Sequence, residues 1–511
     1  MANVKATDLI DFTRASKGHA LAKVSYGEEL VVNGGFDTDS DWTTQRVSIA
    51  SGVADFSDNS SGPARIIQDN VYTVGKTYLV TFDVNTSGTL RVYDGSGYDG
   101  DISVSSGTVS KIIYAEGTQF IIRANVTNDY TGTIDNVSVK EVLFNQPDGT
   151  LQLFEHPNNI PRIEYDADGN LLGLLIEEAR TNLETNSDRT GTAQNGSVTE
   201  ANEVLTPAGT VPNAYTATSV NYNQFYYSMP SNCTIGTTYT ASVFVNVPDK
   251  TAVPYLFFEI RSIANGTFVV FDTTNSSVFS TPSGVTASIT SIGNNWYRVS
   301  VTATAAVSTN LYGAKIYLST STATPFTNGV AVGSKVYFFG HQVEAGSFPT
   351  SYIKTQGSTV SRAADVASID VDQFGYNQSE GTLFVDFNTF NALTQNSPVS
   401  IGANSSNAMG IYAINSYQLR NLVANSSDVL LDNGTVSSAK NKIAGCYKLN
   451  NFAVSLNGNT ASVDTSGAPQ ASPTTMYIGA FVTTNKFNGH IKSITYTPKR
   501  LSNAKLQELT S

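Results

Sequence analysis

The sequence predicts an all-β protein built from tandem antiparallel β-sandwiches. Charged residues make up only 14% of the chain and apolar residues 40%. The chain is therefore expected to fold, with a surface whose polar side chains are mainly Ser, Thr and Asn rather than charged residues. Aromatic residues reach 10% beside 40 Gly and 16 Pro, a mixture that favours many short strands joined by tight turns. A length of 511 residues leaves room for about three to four domains.

An internal repeat indicates two copies of one β-module. Residues 73–85 read TVGKTYLVTFDVN, and residues 234–246 read TIGTTYTASVFVN. In each copy a glycine turn precedes a strand in which every second side chain faces one side, so that face is predicted to be buried. Short strand-like runs separated by Gly, Asn and Ser surround both copies, which predicts one sandwich over residues 28–143 and another over residues 186–346.

The segment between the modules, residues 144–185, is predicted to be a small β connector. Its Asp168-Gly169 pair is a hairpin signal, and the run LLGLLI at residues 171–176 needs a surface to cover it. The stretch LIDFTRA at residues 9–15 is a candidate for that surface. We therefore predict that residues 1–27 and the connector form a clasp into which the first module is inserted.

The last part of the chain is predicted to be a hinge, residues 347–365, followed by a third sandwich over residues 366–511. Leu383, Val385 and Phe387 alternate in this block as the buried face of a strand does. At its end Ser502 can cap a short helix. Leu501, before the cap, can then pack on Leu506 within the helix.

Charge and hydropathy argue against several classes of partner. The net charge of −12 disfavours nucleic-acid binding, which depends on clustered Lys and Arg. The apolar runs are far shorter than a bilayer span, and the first residues lack the apolar core of a secretory signal, so neither membrane insertion nor ordinary export is expected. Cys233 and Cys446 are predicted to be buried thiols rather than a disulfide framework.

No sequence pattern specifies catalysis, so we expect a protein that is not an enzyme and has no catalytic residues. The four histidines are scattered, without the spacing of a zinc site, and the GxSxG nucleophile motif does not occur. Gly75-Lys76-Thr77 imitates the end of a phosphate-binding loop but lacks the earlier glycine. Paired carboxylates for glycoside hydrolysis must face each other across a cleft, which a sequence does not reveal.

Three groups of residues combine aromatic rings with amides or carboxylates, the mixture that glycan binding needs. The groups are Tyr93, Asp94 and Tyr98 in the first module; Tyr222, Asn223, Phe225 and Tyr226 in the second; and Tyr412 and Tyr417 in the third block. The alternative for each group is sandwich core with tyrosines at the sheet edge.

Four stretches of the chain form a framework around the predicted sandwiches: DFTRAS at residues 11–16, GLLIEEARTNL at 173–183, EAGSFPTSYI at 344–353 and SRAADV at 361–366. Together they resemble the framework of bacteriophage virion proteins, chiefly tail-fibre and receptor-binding polypeptides. The closing residues 487–509 are similar to the last strand and helix of a lectin sandwich. The resemblance implies two jelly rolls like carbohydrate-binding modules and a C-terminal sandwich of concanavalin or laminin-G type.

The resemblance also implies a function. We expect a virion fibre or appendage protein on the phage head or tail that contacts other virion proteins, attaches to host-surface polysaccharide and assembles as a homotrimer. One alternative is a capsid-decorating or architectural virion protein without sugar affinity. Another is a polysaccharide-degrading tailspike, which would be expected to carry a long parallel β-helix.

Asp135 is the candidate metal ligand. It falls in phase with Val137 and Val139, so it is predicted to point inward at the start of a strand, where an unpaired carboxylate is costly. The resemblance to carbohydrate-binding jelly rolls implies a structural calcium near such an aspartate. A carboxylate that caps backbone N–H groups is the alternative.

Overall fold

The computed structural model describes residues 10–57, 62–98, 101–125, 130–188, 192–200, 204–210, 212–220, 222–226, 233–261, 267–308, 315–390, 395–413, 416–423, 426–435 and 440–511. The chain forms two compact units, Lys23–Thr150 and Met1–Ala22 together with Leu151–Ser511. No described helix has both the length and the apolar character that crossing a bilayer requires.

The regular structure is almost entirely β. The strands up to residue 156 are β1 Asp11–Thr13, β2 Gly18–Glu29, β3 Thr43–Gln45, β4 Ser48–Ala50, β5 Val53–Asp55, β6 Arg65–Gln68, β7 Thr77–Val84, β8 Gly88–Val92, β9 Ile102–Val104, β10 Gly107–Tyr114, β11 Phe120–Ala124, β12 Thr133–Phe144 and β13 Thr150–His156.

The middle of the chain continues with short strands. They are β14 Ile163–Tyr165, β15 Leu171–Ile176, β16 Arg180–Asn182, β17 Thr192–Gln194, β18 Gly196–Glu200, β19 Asn213–Ala217, β20 Gln224–Tyr226, β21 Thr238–Asn246, β22 Tyr255–Glu259, β23 Phe268–Asp272, β24 Ser277–Ser280, β25 Val285–Gly293, β26 Trp296–Thr304, β27 Lys315–Ser319 and β28 Lys335–Ala345.

The last part adds strands, a 3-10 helix at Val371–Phe374 and the α-helix α1 at Asn503–Thr510. The strands are β29 Val360–Arg362, β30 Val366–Asp370, β31 Glu380–Thr389, β32 Asn396–Asn404, β33 Asn407–Ala413, β34 Ser416–Val423, β35 Ser426–Thr435, β36 Asn441–Lys448, β37 Phe452–Leu456, β38 Ser462–Asp464, β39 Thr475–Ile478 and β40 Gly489–Thr497. The predicted all-β class of tandem antiparallel sandwiches is confirmed.

The unit Lys23–Thr150 is a two-sheet sandwich. One sheet has the strand order β10-β7-β12-β2, with β5 and then β4 attached to β12, and the other has the order β3-β6-β11-β8-β9. Alternate side chains of β7, which include Val80 and Phe82, meet Leu90 and Ile122 of the second sheet in one apolar core. The period-two pattern of the sequence therefore marks the buried face of β7.

The second sandwich has the sheet orders β17-β20-β27-β22-β23-β24 and β18-β19-β28-β21-β26-β25. Its β21 lies between two neighbours, as β7 does, and the turns before both strands are made alike. Tyr78 Oη accepts a hydrogen bond from the N–H of Thr73 at 2.8 Å, and Tyr239 Oη accepts one from the N–H of Thr234 at 3.1 Å. The internal repeat is thus a repeat of structure.

The third sandwich has the sheet orders β1-β30-β39-β32-β33-β34-β35 and β14-β15-β40-β31-β36-β37-β38. Strand β1 and the hairpin β14–β15 therefore supply edges of sheets whose other strands come from beyond residue 360. Phe12, Leu174 and Ile176 lie in the same core as Val385 and Ile401. The connector leucines and the N-terminal strand are covered together.

The terminal helix α1 begins as predicted. Ser502 has extended backbone angles, and its Oγ accepts a hydrogen bond from the N–H of Lys505 at 3.2 Å. Leu506 is fully buried in a cluster with Cys446 and Ala453, against which Leu501 packs. The cap is confirmed, and Leu501 packs on the buried cluster that contains Leu506, its predicted partner.

Removing the cap is expected to loosen this helix. We expect Ser502→Ala to cost about 1 kcal/mol of stability and Ser502→Gly only a few tenths. Hydrogen exchange of the α1 amides, with urea unfolding of the whole chain, measures both. Equal exchange in the alanine variant and the natural chain would show that Leu506, and not the cap, holds the helix in place.

The framework motifs meet in a buried ionic network, formed by Arg14, Arg162, Glu177, Arg362 and Asp365. Asp365 Oδ2 lies 2.5 Å from Arg162 Nη2, and its Oδ1 lies 3.3 Å from Arg14 Nη1. Glu177 Oε2 lies 2.9 Å from Arg162 Nη1 and 3.5 Å from Arg362 Nη2. All five side chains are essentially inaccessible to solvent. Charges this deep persist only because they pair with one another and with backbone groups.

Backbone groups complete the ionic network. Arg14 donates to the carbonyl of Pro157 at 2.7 Å, and Arg362 donates to that of Glu178 at 2.7 Å. The N–H of Glu177 donates to Asp365 at 2.9 Å. Although burial acts in the opposite direction, Arg362 and Arg162 lower the pKa of Glu177 to about 2. The carboxylate is therefore ionised across the physiological range.

Candidate functional site

The outer face of the sheet β3-β6-β11-β8-β9 carries the first predicted group. Leu90 and Val92 of β8 are buried in the core, so strand alternation turns Arg91 and Tyr93 to the outside. Tyr93 and Tyr98 pair across a tight turn, and their ring centroids are 5.6 Å apart. The structure therefore brings these two tyrosines together.

Asp94 shapes the turn between the two tyrosines. Its Oδ1 accepts hydrogen bonds from the N–H groups of Ser96 at 2.8 Å and Gly97 at 2.7 Å, as in an Asx turn. Gly95 has φ +97° and lies so close to the backbone of Gly117 that a Cβ atom would clash with it. Asp94 thus positions the tyrosines, with one carboxylate oxygen engaged inside the turn.

Charged side chains flank both rings. The guanidinium carbon of Arg91 lies 4.0 Å from the ring centroid of Tyr98, and its Nε donates to Asp101 Oδ1 at 2.6 Å. This hydrogen bond raises the pKa of Arg91. Arg123 Nη1 donates to Tyr93 Oη at 2.9 Å, and Tyr98 keeps 42% of its surface exposed. We call Arg91, Tyr93, Tyr98, Asp101 and Arg123 the tyrosine surface.

Sequence reasoning missed the two arginines of the tyrosine surface. Arg91 carried a usable signal, because it stands two residues before Tyr93 and hence on the same strand face. Arg123 carried none. It lies on β11, and only the register that sets Arg123 opposite Arg91 brings it to the surface.

The second predicted group is divided between two sides of its sheet. Phe225 is fully buried in the core and stacks on Phe338 with centroids 4.1 Å apart. Asn223 is also buried, and its side chain donates to the carbonyl of Ser219 at 2.8 Å and accepts from the N–H of Val330 at 3.0 Å. These two residues are therefore held inside the module.

Tyr222 lies on the other side of the same sheet. Its ring stacks on Phe326 with centroids 5.3 Å apart and meets Tyr317 edge-on at 5.8 Å. The backbone of Tyr226 lies opposite Lys315 of β27. The structure therefore separates Tyr222 from Asn223 and Phe225.

A buried acid accompanies these rings, which sequence reasoning also missed. Tyr317 Oη donates to Glu259 Oε2 at 3.1 Å, and Lys315 Nζ lies 3.7 Å from the same oxygen. Burial raises the pKa of Tyr317, so its hydroxyl remains a donor. Tyr317 and Glu259 are themselves buried, which makes this group a packed polar-aromatic cluster.

In the third block the two predicted tyrosines face opposite ways. Tyr417 is fully buried in the core, where its ring meets Phe387 edge-on at 4.9 Å, and burial raises its pKa. Tyr412 points to the other face of β33, where it is also buried; it packs on Phe481 at 5.4 Å and lies 4.9 Å from the guanidinium carbon of Arg420. The structure does not bring Tyr412 and Tyr417 into one site.

Asp135 points outward, contrary to the predicted phase. A β-bulge between Asp135 and Ser138 shifts the register with β7, and Asn136 has φ +50°, so the alternation that buries Val137 does not extend back to Asp135. Asp135 Oδ1 accepts a hydrogen bond from the N–H of Asn136 at 2.6 Å, which is the capping geometry. Among the described residues, no three His, Cys, Asp or Glu side chains are grouped to hold a metal ion.

A cleft of about 880 Å³ lies beside the second sandwich. One wall is the hydroxyl-rich outer face of β25 and β26, with Thr286, Ser288, Ser300 and Thr302. The rings of Phe348, Tyr352 and Phe390 and the hydrogen-bonded pair Glu164–His490, 2.6 Å apart, form other parts of the lining. In such a cleft the hydroxyl groups can hydrogen-bond to a polar ligand, and the aromatic rings can stack on it.

No protein-family model and no curated protein matches the chain. Solved structures with a similar arrangement of strands include the CBM40 module of the Ruminococcus gnavus IT-sialidase bound to α2,3-sialyllactose. It has 16% identity and a TM-score of 0.25, and the match covers 29% of this chain and 93% of that one.

Two further solved structures are similar. The tandem CBM22 domains of Paenibacillus barcinonensis Xyn10C have 13% identity and a TM-score of 0.22, covering 64% of this chain and 99% of that one. Domains LG4-5 of the mouse laminin α1 chain have 9% identity and a TM-score of 0.21, covering 67% and 94%. Scores this low identify neither a ligand nor an activity for this chain.

Proposed function

We propose that the chain is a non-enzymatic attachment protein that binds glycans through the tyrosine surface. The observation that carries the proposal is the exposed ring of Tyr98 beside Tyr93, with the Arg91 guanidinium over one face of the Tyr98 ring and the Asp101 carboxylate hydrogen-bonded to that guanidinium. An aromatic face packs against sugar C–H groups, and the flanking groups hydrogen-bond to hydroxyls. The turn that presents the rings is fixed by Asp94 and by the close approach of Gly95 to Gly117.

We further propose that the protein works in a bacteriophage virion, as a tail-fibre or appendage protein directed at host-surface polysaccharide. The resemblance of the framework motifs supports this assignment. Serial sandwiches suit it physically, because several weak sugar sites on one particle gain avidity without any single tight site. Homotrimeric assembly belongs to the same proposal.

Truncating the exposed ring is expected to weaken glycan binding. We expect Tyr98→Ala to lower the affinity of the full chain for host polysaccharide about tenfold, since truncation of an aromatic anchor commonly costs more than 1 kcal/mol. Binding to a glycan array and to purified host polysaccharide measures the effect. Tyr26→Ala is the matched control, because Tyr26 is a similarly exposed tyrosine on the other sheet of the same unit.

Three outcomes would contradict the proposal in different ways. Equal losses of glycan affinity in Tyr98→Ala and Tyr26→Ala would show that the tyrosine surface is not the glycan-binding site. Absence of binding to any glycan would favour an architectural protein. Release of reducing sugar from the polysaccharide would show an enzyme.

A further inference from the structure

Three arginines lie side by side across the sheet that bears the tyrosine surface. Arg123 of β11 is directly opposite Arg65 of β6 on one side and Arg91 of β8 on the other. Directly opposite residues of an antiparallel pair have Cβ atoms about 4.5–5.5 Å apart. The core position of Ile66 and Ile122 turns all three arginines to the outer face. We call Arg65, Arg123 and Arg91 the arginine row.

Among the described residues, Arg91 is the one member of the arginine row with a carboxylate partner. Arg91 pairs with Asp101, whose side chain is 43% exposed, and Arg123 donates to the neutral hydroxyl of Tyr93. Arg65 forms no side-chain hydrogen bond or ion pair in the part of the chain that the structure describes, and its Nε is buried without a partner. Like charges directly opposite one another destabilise a sheet, so the row costs stability as it stands.

The arginine row stands out because the unit that contains it is acidic as a whole. Residues 23–150 contain 17 Asp and Glu against 8 Lys and Arg. Only four of those basic residues are arginine, and three of the four form the row. An acidic unit that gathers its arginines on one sheet face beside two tyrosines presents a local anion site.

We infer that the arginine row binds the acidic group of a saccharide, a carboxylate or a sulfate, whose sugar ring lies on the tyrosine surface. The planar guanidinium fork matches such oxyanions with two parallel hydrogen bonds. We expect Arg65 to contribute most to binding this acidic group, because it has no internal acidic partner among the described residues. This inference rests on the proposed glycan-binding function and narrows its ligand class.

The test uses the full chain on an array of neutral, carboxylated and sulfated glycans. We expect binding to be confined to acidic glycans and to weaken with rising salt, because these charges lie near the surface. The carboxylated and sulfated members distinguish the two sources of the anion. We expect Arg65→Gln to lower the affinity at least tenfold without lowering the melting temperature, since it removes a repelled charge, and Arg65→Lys to restore it only in part.

Lys140→Gln is the matched control, because it removes one positive charge from β12, a strand of the other sheet. Its affinity should equal that of the natural chain. Equal binding of neutral and acidic glycans would overturn the inference and leave glycan binding intact. Unchanged affinity in Arg65→Gln would overturn it as well, whereas absence of binding to every glycan would overturn both the inference and the proposed function.

Discussion

Replacing Asp365 by asparagine is expected to lower the free energy of unfolding by about 3–5 kcal/mol, the usual cost of breaking a buried ion pair. Asp365 faces Arg14, Arg162 and Arg362, and the neutral amide would leave Glu177 as the remaining acid of the ionic network. An amide NH₂ would also meet guanidinium donors where an acceptor is needed.

The control for Asp365→Asn is Asp168→Asn, which changes an exposed aspartate in the turn between β14 and β15. Surface changes of this kind usually fall within about 0.5 kcal/mol. Urea unfolding, followed by intrinsic fluorescence, gives both values. A loss below about 1 kcal/mol for Asp365→Asn would mean that water or rearranged backbone carbonyls compensate the three arginines.

The second large effect expected is a loss of stability in mild acid, caused by buried histidine. His156 is buried, and burial, Arg162 and Arg14 lower its pKa to about 3 from an ordinary value of 6.5. Between these two values the unfolded chain binds a proton that the folded chain does not, so stability rises with pH across this window and is lost as pH falls. The slope reaches about 1.4 kcal/mol per pH unit for one such group.

The measurement is urea unfolding of the natural chain and of His156→Gln between pH 5.0 and 7.5, a range above the titration of Glu177. We expect the variant to have a shallower pH dependence, whatever its stability at pH 7.5. Burial also lowers the pKa of His19, so some of this slope should remain in the variant and become smaller in the double variant His19→Gln, His156→Gln. Parallel curves for the natural chain and His156→Gln would show that His156 does not control the effect.

Local patterns in the sequence were sufficient to predict that the chain folds into β-sandwiches. The alternation of Tyr78, Val80 and Phe82 marks the buried side of β7, and the neighbourhood of Ser502 encodes the start of α1, because both depend on residues a few positions apart. Asp135 shows where this local reasoning fails. The β-bulge at Asn136, which has positive φ, changes the facing of the first side chains of β12, including Asp135.

Sites depend on register between distant strands, which no local pattern specifies. Tyr412 and Tyr417 look alike in sequence, but strand phase places Tyr417 in the sandwich core and Tyr412 in a separate buried cluster on the other face of the sheet. The arginine row joins residues from β6, β8 and β11, and each arginine taken alone is an ordinary polar residue of a strand. Only the pairing of these strands makes the row visible.

The ionic network has a consequence for the timing of biosynthesis. Arg14 and Asp365 are 351 positions apart, so at about 5–20 residues per second roughly 20–70 s pass between the translation of one and of the other. The residues of Lys23–Thr150 are all synthesised within that interval and can begin to fold. During the same interval Arg14 lacks its partner Asp365. A ribosome that stalls just before residue 365 would therefore hold a nascent chain in which the strands of the first two sandwiches are already synthesised and the charge cluster is not yet closed.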